Sequence, residues 1–201
     1  MERLAALSAA IEARDPYARG HASRVTVFAQ AVARRIGIEA ERLSVLRLGA
    51  LLHDVGKLGV PQAVLLKRGP LTEGELGQMR RHPAAGARML RSLGAPIAVL
   101  PAVLHHHERW DGHGYPSGRS AEEIPLDARI LAVADAFDAM TSTRPYRATR
   151  PVPDALEELE RCAGSQFDPA VVVAFSGSWA EGELDALVWQ ELADPQSVSA
   201  Y

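Results

Sequence analysis

The chain has 201 residues, of which 47% are hydrophobic and 23% are charged, and its formal net charge is −3. These values fit a globular domain with one sizeable core, and they exclude a global electrostatic attraction to nucleic acid polymers or anionic membranes. No apolar run approaches the about 20 residues that a membrane-spanning helix needs, and the N-terminus lacks the pattern of a signal peptide. The single cysteine, Cys162, cannot form an internal disulfide. We therefore expect a cytoplasmic protein whose partners include neither a membrane nor a nucleic acid polymer.

The first part of the chain predicts amphipathic helices. Apolar residues recur at helical spacing over residues 25–36, and Gly37 is placed to end that helix. The same periodicity continues in a second helix over residues 43–55. Two possible capping boxes follow, at residues 72–75 and 120–123, where a hydroxyl residue precedes a glutamate by three positions.

The later part of the chain is helical as well. Residues 126–140 are rich in alanine and other apolar residues, which predicts a buried central helix. Residues 153–162 and 169–175 predict shorter closing helices, each opened by a proline that suits a first turn. No segment shows the alternation of a strand. The sequence predicts an all-α domain over residues 1–175 and a peripheral C-terminal segment over residues 176–201.

Ionisable residues inside apolar helices carry the first functional signal. His53 and Asp54 stand at the end of an apolar helix, and Asp135 lies among apolar residues. Burying these groups costs free energy unless a cation or another partner compensates, and a metal is the strongest candidate. A carboxylate can bridge two cations, whereas an imidazole cannot. Three further histidines could complete a nitrogen and oxygen site for iron, manganese, zinc or nickel, namely His82, His106 and His107.

The motifs around these residues resemble a known family. Residues 53–57, His-Asp-Val-Gly-Lys, resemble the HD signature of metal-dependent phosphohydrolases. Residues 106–116, His-His-Glu-x-x-Asp-Gly-x-Gly-Tyr-Pro, resemble the extended signature of the HD-GYP subfamily. The HD pair alone is a weak signal, but the longer run is specific. Further matching blocks follow in the family's order along nearly the whole chain, at residues 20–25, 66–69, 135–141, 144–147 and 166–169.

The resemblance implies an all-α HD-type helical bundle with a long Gly-Tyr-Pro loop. It implies a bacterial phosphodiesterase that hydrolyses cyclic di-GMP to linear pGpG and often to GMP, which lowers signalling by this second messenger. The expected cofactors are two divalent metal ions, iron or manganese. One ion would be held by His21, His53, Asp54 and Asp135. The second would be held by Asp54, as the bridge, with His82, His106 and His107.

The resemblance also assigns residues to the substrate. Lys57 matches a lysine that contacts the substrate phosphate, beside the catalytic Asp54, although a solvated lysine at a helix end is the alternative. Arg144 and Arg147 match phosphate-contacting positions and would offer forked donors to the other phosphate, and ordinary surface arginines are the alternative. The loop residues Gly114, Tyr115 and Pro116 would line the pocket and offer a docking surface for regulatory or GGDEF-type protein partners.

Three positions depart from the family pattern or need a decision. Tyr17 stands where family members with a third metal have a glutamate, which favours two metals. His105 and His113 are interpreted as packing or exposed residues, not as ligands. The spacing to Glu108 selects His106 and His107 as the paired ligands, and Glu108 itself could orient a ligand.

Two other functions stay open on the sequence. One is an HD-type phosphohydrolase acting on mononucleotides or on another cyclic dinucleotide. The other is a catalytically weak module that binds cyclic di-GMP or a partner. Because every ligand position that can be matched is filled, an active enzyme is favoured.

Overall fold

The computed structural model describes residues 2–15, 19–142 and 149–184. Within these ranges the chain forms helices and no strand, with one isolated bridge between Ala163 and Phe167, so the all-α prediction is confirmed. No helix among the described residues is long and apolar enough to cross a bilayer. The helices are α1 Glu2–Arg14, α2 His21–Ile36, α3 Ala40–Leu52, α4 Gln62–Leu65, α5 Glu73–Met79, α6 His82–Ser92, α7 Leu100–His105, α8 Leu126–Thr141, α9 Val152–Arg161 and α10 Pro169–Ala180.

Local signals set several helix ends as predicted. α2 ends at Gly37, whose φ of 85° is in the left-handed region that glycine favours. Both predicted capping boxes are present, at Thr72 before α5 and at Ser120 before a short 3₁₀ turn. α3 ends before residue 55, where the prediction had it continue. The backbone tightens there into a 3₁₀ turn over Val55–Gly59.

The helices at the two ends of the chain differ from the prediction. α1 was not predicted, and it packs against the 3₁₀ turn Val55–Gly59. α10 continues past residue 175 to Ala180, and the following Leu184 is fully buried in the core. The expected boundary between residues 175 and 176 therefore falls inside a helix.

Two apolar clusters hold the helices around the site. In the first, the rings of Phe28 and Phe137 have centroids 5.2 Å apart and Phe175 lies 4.7 Å from Phe137, which joins α2, α8 and α10. Such ring pairs add about 0.5–1.5 kcal/mol each beyond area burial. In the second, Leu52 and Leu90 pack with Val103, which joins the end of α3 to α6 and α7. The ionisable residues come from both groups of helices and meet between them.

Gly56 permits the closest backbone approach at the site. A Cβ atom at this position would lie 1.9 Å from the carbonyl oxygen of His82 and 2.6 Å from the amide nitrogen of Gly86. Only glycine therefore allows the 3₁₀ turn to press against the start of α6. This contact places Asp54 beside His82, with Oδ1 of Asp54 3.2 Å from Nε2 of His82.

Candidate metal centre

The structure brings the seven predicted ligands into one cluster. One donor atom each from Asp54, His82, His106 and His107 lie within 4.8 Å of one another. Donor atoms of His21, His53 and Asp54 form a second such group, so Asp54 belongs to both. Asp135 lies at the edge of the second group, with its Oδ1 3.4 Å from the Nε2 of His21.

Three of the histidine rings are oriented by the backbone. Each Nδ1 lies within hydrogen-bonding distance of the carbonyl oxygen three residues earlier, which fixes the proton of the neutral ring on Nδ1. The Nε2 lone pair then points into the cluster. The pairs are His53 with Ala50 at 2.7 Å, His82 with Met79 at 2.8 Å and His106 with Val103 at 2.8 Å.

The Nε2 atoms in the cluster face one another at short distances. The Nε2 atoms of His82 and His106 are 3.2 Å apart, and those of His21 and His53 are 3.3 Å apart. Asp54 Oδ1 is buried without a hydrogen bond, 3.2 Å from the Nε2 of His82. Facing lone pairs repel unless a cation lies among them. Imidazole nitrogens and carboxylate oxygens suit a divalent transition metal, so the cluster fits such an ion.

His21 is oriented by a side chain that sequence reasoning missed. Its Nδ1 lies 2.7 Å from Asp138 Oδ2, and the same carboxylate accepts from Arg24 Nε at 2.5 Å. Burial raises the pKa of Asp138, but the hydrogen bonds from His21 and Arg24 outweigh it and lower that pKa to about 2. A signal was present, because Asp138 follows Asp135 by three residues and so shares its face of α8.

Burial keeps several of the imidazoles neutral. It lowers the pKa of His53 and lowers that of His107 to about 4. It also holds the pKa of His106 well below its usual value, and the charges of the neighbouring histidines lower that pKa further. For His21 burial also lowers the pKa, but Asp138, Asp135 and Asp54 together raise it. A metal binds the neutral ring, so an ion at His21 would take the place of a proton.

Lys57 faces the cluster. Its Nζ lies 2.5 Å from Asp54 Oδ2, and its side chain is 23% exposed. Burial lowers the pKa of Lys57, but the charges of Asp54 and Asp135 raise it overall, so the lysine keeps its proton. Burial raises the pKa of Asp54, while Lys57 and His53 bring it well below its usual value. The structure therefore supports a site lysine over a solvated helix-end lysine.

The Gly-Tyr-Pro loop folds back onto the segment that carries the paired histidines. A Cβ at Gly114 would lie 2.3 Å from the Arg109 amide nitrogen, so the close approach requires glycine. The Tyr115 amide donates to the His107 carbonyl at 3.1 Å. Glu108, which is buried, accepts from the Ser117 amide at 2.7 Å. Glu108 thus anchors the loop, a role that its spacing to the histidines did not reveal.

The two histidines set aside as non-ligands lie outside the cluster. His105 is buried and its Nδ1 lies 3.3 Å from Glu108 Oε1. The side chain of His113 is 83% exposed, beside Asp111. The interpretation of these two residues as packing and exposed residues is supported by these positions.

A cavity of about 280 Å³ opens beside the cluster. His107 and Asp135 form its inner wall, and Gly114 and Tyr115 form the wall on the loop side. Pro116 is exposed and is not among the residues that line the cavity. Arg144, Arg147 and Tyr17 lie outside the described residues, so their assigned roles stay predictions.

A profile of the HD domain family matches residues 5–171. The chain belongs to the HD domain family. The family expected from the motifs is therefore confirmed. Residues of the two motifs, His53, Asp54, His106 and His107, belong to the cluster described above.

Known members of the HD domain family match closely in sequence and in fold. A cyclic di-GMP phosphodiesterase of Thermotoga maritima is 42% identical over 87% of this chain and 48% of its own length. A 3′3′-cGAMP-specific phosphodiesterase of Vibrio cholerae is 42% identical over 82% of this chain and 36% of its own. This chain therefore spans less than half of these relatives.

The fold also matches a solved structure. The crystal structure of a cyclic GMP-AMP phosphodiesterase of Vibrio cholerae superposes with a TM-score of 0.78 at 19% identity, covering 99% of this chain and 53% of that one. At this identity the match speaks for the fold alone.

Proposed function

We propose that this HD domain is a metal-dependent phosphodiesterase that hydrolyses cyclic di-GMP to linear pGpG. The observation that carries the proposal is the set of Nε2 atoms, fixed by hydrogen bonds at Nδ1, that converge on the buried Asp54. The relatives named for cyclic dinucleotide hydrolysis supply the substrate class.

Two divalent ions fit the two donor groups that share Asp54. His21, His53 and Asp135 would hold one ion, and His82, His106 and His107 would hold the other, with Asp54 between them. When bound, such ions supply Lewis acidity toward a phosphate and lower the pKa of water. Iron or manganese is our proposal for the metal, because neutral imidazole and carboxylate ligands suit both.

The remaining residues bind and position the substrate. Lys57 keeps its positive charge at the edge of the cluster, where it stabilises negative charge that develops on a phosphate. Gly114 and Tyr115 shape the cavity in which the dinucleotide lies against His107 and Asp135. The net charge of −3 does not oppose binding, because bound divalent ions and nearby arginines would set the potential at the site. Contacts of Arg144, Arg147 and Pro116 with the substrate, and docking of a regulatory partner on the loop, stay predictions.

The decisive experiment pairs metal analysis of anaerobically purified protein with product identification. Elemental analysis gives the metal and its stoichiometry, and chromatography follows cyclic di-GMP, 3′3′-cGAMP and a deoxynucleoside triphosphate. We expect two metal equivalents and the appearance of pGpG. Preferential turnover of 3′3′-cGAMP would reassign the substrate within the same chemistry. Tight binding of cyclic di-GMP by fully metal-loaded protein without any product would reduce this domain to a binding module.

A further inference from the structure

Two of the described arginines line the cavity beside the metal cluster, and they differ in how they are bound. The donors of Arg109 are used within the protein. Its Nε and Nη2 donate to the two oxygens of Asp111 at 3.0 and 2.6 Å, and its Nη1 donates to Gln166 at 3.2 Å. Arg80 has no comparable partner. Among the residues that the structure describes, no carboxylate lies within 4.0 Å of its guanidinium.

Arg80 stands between the cluster and solvent. It follows the last residue of α5 and precedes the ligand His82 by two positions, and its backbone amide caps α5 by donating to the Leu76 carbonyl. Its Cζ lies 5.5 Å from the centroid of the Tyr115 ring, and that ring lies 5.0 Å from the ring of His107. The Tyr115 ring therefore lies between the Arg80 guanidinium and the proposed ligand His107, and Arg80 is at the wall of the cavity.

The contact with the Tyr115 ring leaves the N–H donors of this guanidinium available, because a cation–π contact uses none of them and they make no hydrogen bond to a described residue. These donors form a fork that matches two oxygens of one phosphate. Because Arg80 is exposed and pairs with no carboxylate of residues 2–15, 19–142 or 149–184, binding an anion there breaks no ion pair within those ranges.

We propose that Arg80 binds the second phosphodiester of the cyclic dinucleotide, the one that is not being hydrolysed. The inference rests on the proposed function, since such a substrate carries two phosphodiesters and only one of them can lie at the cluster. Lys57 is paired with Asp54 and serves the first. Among the described arginines that line the cavity, Arg80 is the one whose side-chain donors make no hydrogen bond, and it lies against the Tyr115 ring. Arg144 and Arg147, which the family resemblance assigns to phosphates, lie outside the described residues.

The test compares Arg80→Gln with Arg81→Gln, its exposed neighbour, which does not line the cavity. For Arg80→Gln we expect the KM for cyclic di-GMP to rise about tenfold or more with kcat within about twofold, because a charge-assisted bond to bound substrate is lost. Bis(p-nitrophenyl) phosphate, which has one phosphodiester, should be hydrolysed at the wild-type rate. Arg80→Lys should restore part of the affinity, since it keeps the charge but loses the fork.

The linear dinucleoside monophosphate GpG separates a phosphate contact from a guanine contact. It carries both guanines and a single phosphodiester, so its inhibition constant should be the same for wild type and Arg80→Gln. A selective loss of GpG binding would overturn the phosphate assignment, because arginine also pairs with the guanine edge. Equal losses on cyclic di-GMP and bis(p-nitrophenyl) phosphate would mean that Arg80 only positions His82, which also overturns it.

The outcome for wild type separates this inference from the proposed function. If wild-type protein hydrolyses bis(p-nitrophenyl) phosphate but no cyclic dinucleotide, the proposed function fails and the inference fails with it. If wild type turns over cyclic di-GMP and Arg80→Gln behaves like Arg81→Gln, only the inference fails.

Discussion

The two sides of the metal centre are held in different ways. On the side formed by α6 and α7, His82 and His106 are oriented by backbone carbonyls three residues earlier in the chain. On the side formed by α2 and α8, with His53 from the end of α3, His53 is also oriented by a backbone carbonyl. His21 on this side is instead oriented by the carboxylate of Asp138, which is 117 positions away in sequence. We call these the α6–α7 side and the α8 side.

This difference separates local from tertiary control of a ligand. A ring that donates to a nearby carbonyl acquires its orientation as soon as the adjoining turn forms. A ring that donates to a distant carboxylate acquires its orientation only after α2 has packed on α8. The α8 side can therefore be weakened by a side-chain substitution that leaves all ligands in place, whereas the α6–α7 side offers no equivalent for His82 and His106 among the described contacts.

Removing Asp54 should have the largest effect, because this residue belongs to both sides. We expect Asp54→Ala to lower the hydrolysis rate by at least about a hundredfold and to reduce bound metal on both sides. His82→Ala and His21→Ala should each weaken one side only. Elemental analysis and the initial rate are the measurements. If Asp54→Ala turned over substrate at the wild-type rate, Asp54 would not be a site residue and would not link the two sides.

Asp138→Asn tests the α8 side alone. The change keeps the shape of the side chain but removes the charge that orients His21, so metal affinity should fall about 10–100-fold. Competition with a calibrated chelator gives the affinity. Asp127→Asn is the matched control, because Asp127 is also buried on α8 but pairs with Arg42, away from the cluster. Equal metal affinities in the two variants would show that Asp138 does not orient His21 for metal binding.

Gly56→Ala tests the backbone contact on which the α6–α7 side depends. The added methyl group must displace the His82 carbonyl or the turn itself, and we expect a loss of about 1–3 kcal/mol in the free energy of unfolding. Gly59→Ala is the control in the same turn, since a Cβ there meets nothing within 4 Å. Chemical denaturation measures both, and similar values would mean that the turn and α6 can shift apart without cost.

The smallest effect concerns α5, which leads into the α6–α7 side. The hydrogen bond from Lys67, and then that from the Thr72 amide, lower the pKa of Glu75 from 4.5 to about 2. A depressed folded-state pKa adds stability above pH 4.5 that is lost as the pH falls from 4.5 to about 2. Across that range the Tm of wild type should fall slightly more than that of Glu75→Gln. Parallel curves would show that this exposed carboxylate adds nothing.

The sequence by itself determined the helical class, both capping boxes and the identity of the clustered residues. It could do so because placing His53, Asp54 and Asp135 in apolar helices demands a compensating charge. The family motifs also show which of the neighbouring histidines are the ligands. The early end of α3 and the extension of α10 were missed, since helix boundaries depend on packing beyond the local pattern.

Only the tertiary structure decided how the ligands are held and what surrounds them. Asp138 orients His21, Glu108 anchors the loop, and Arg80 reaches the cavity while Arg109 is bound by Asp111. The spacing of Asp138 to Asp135 hinted at a shared face of α8, but no local pattern shows which partner each of these side chains binds. Their roles follow from hydrogen bonds between segments far apart in sequence, and the partner of a side chain is known only once the helices have packed.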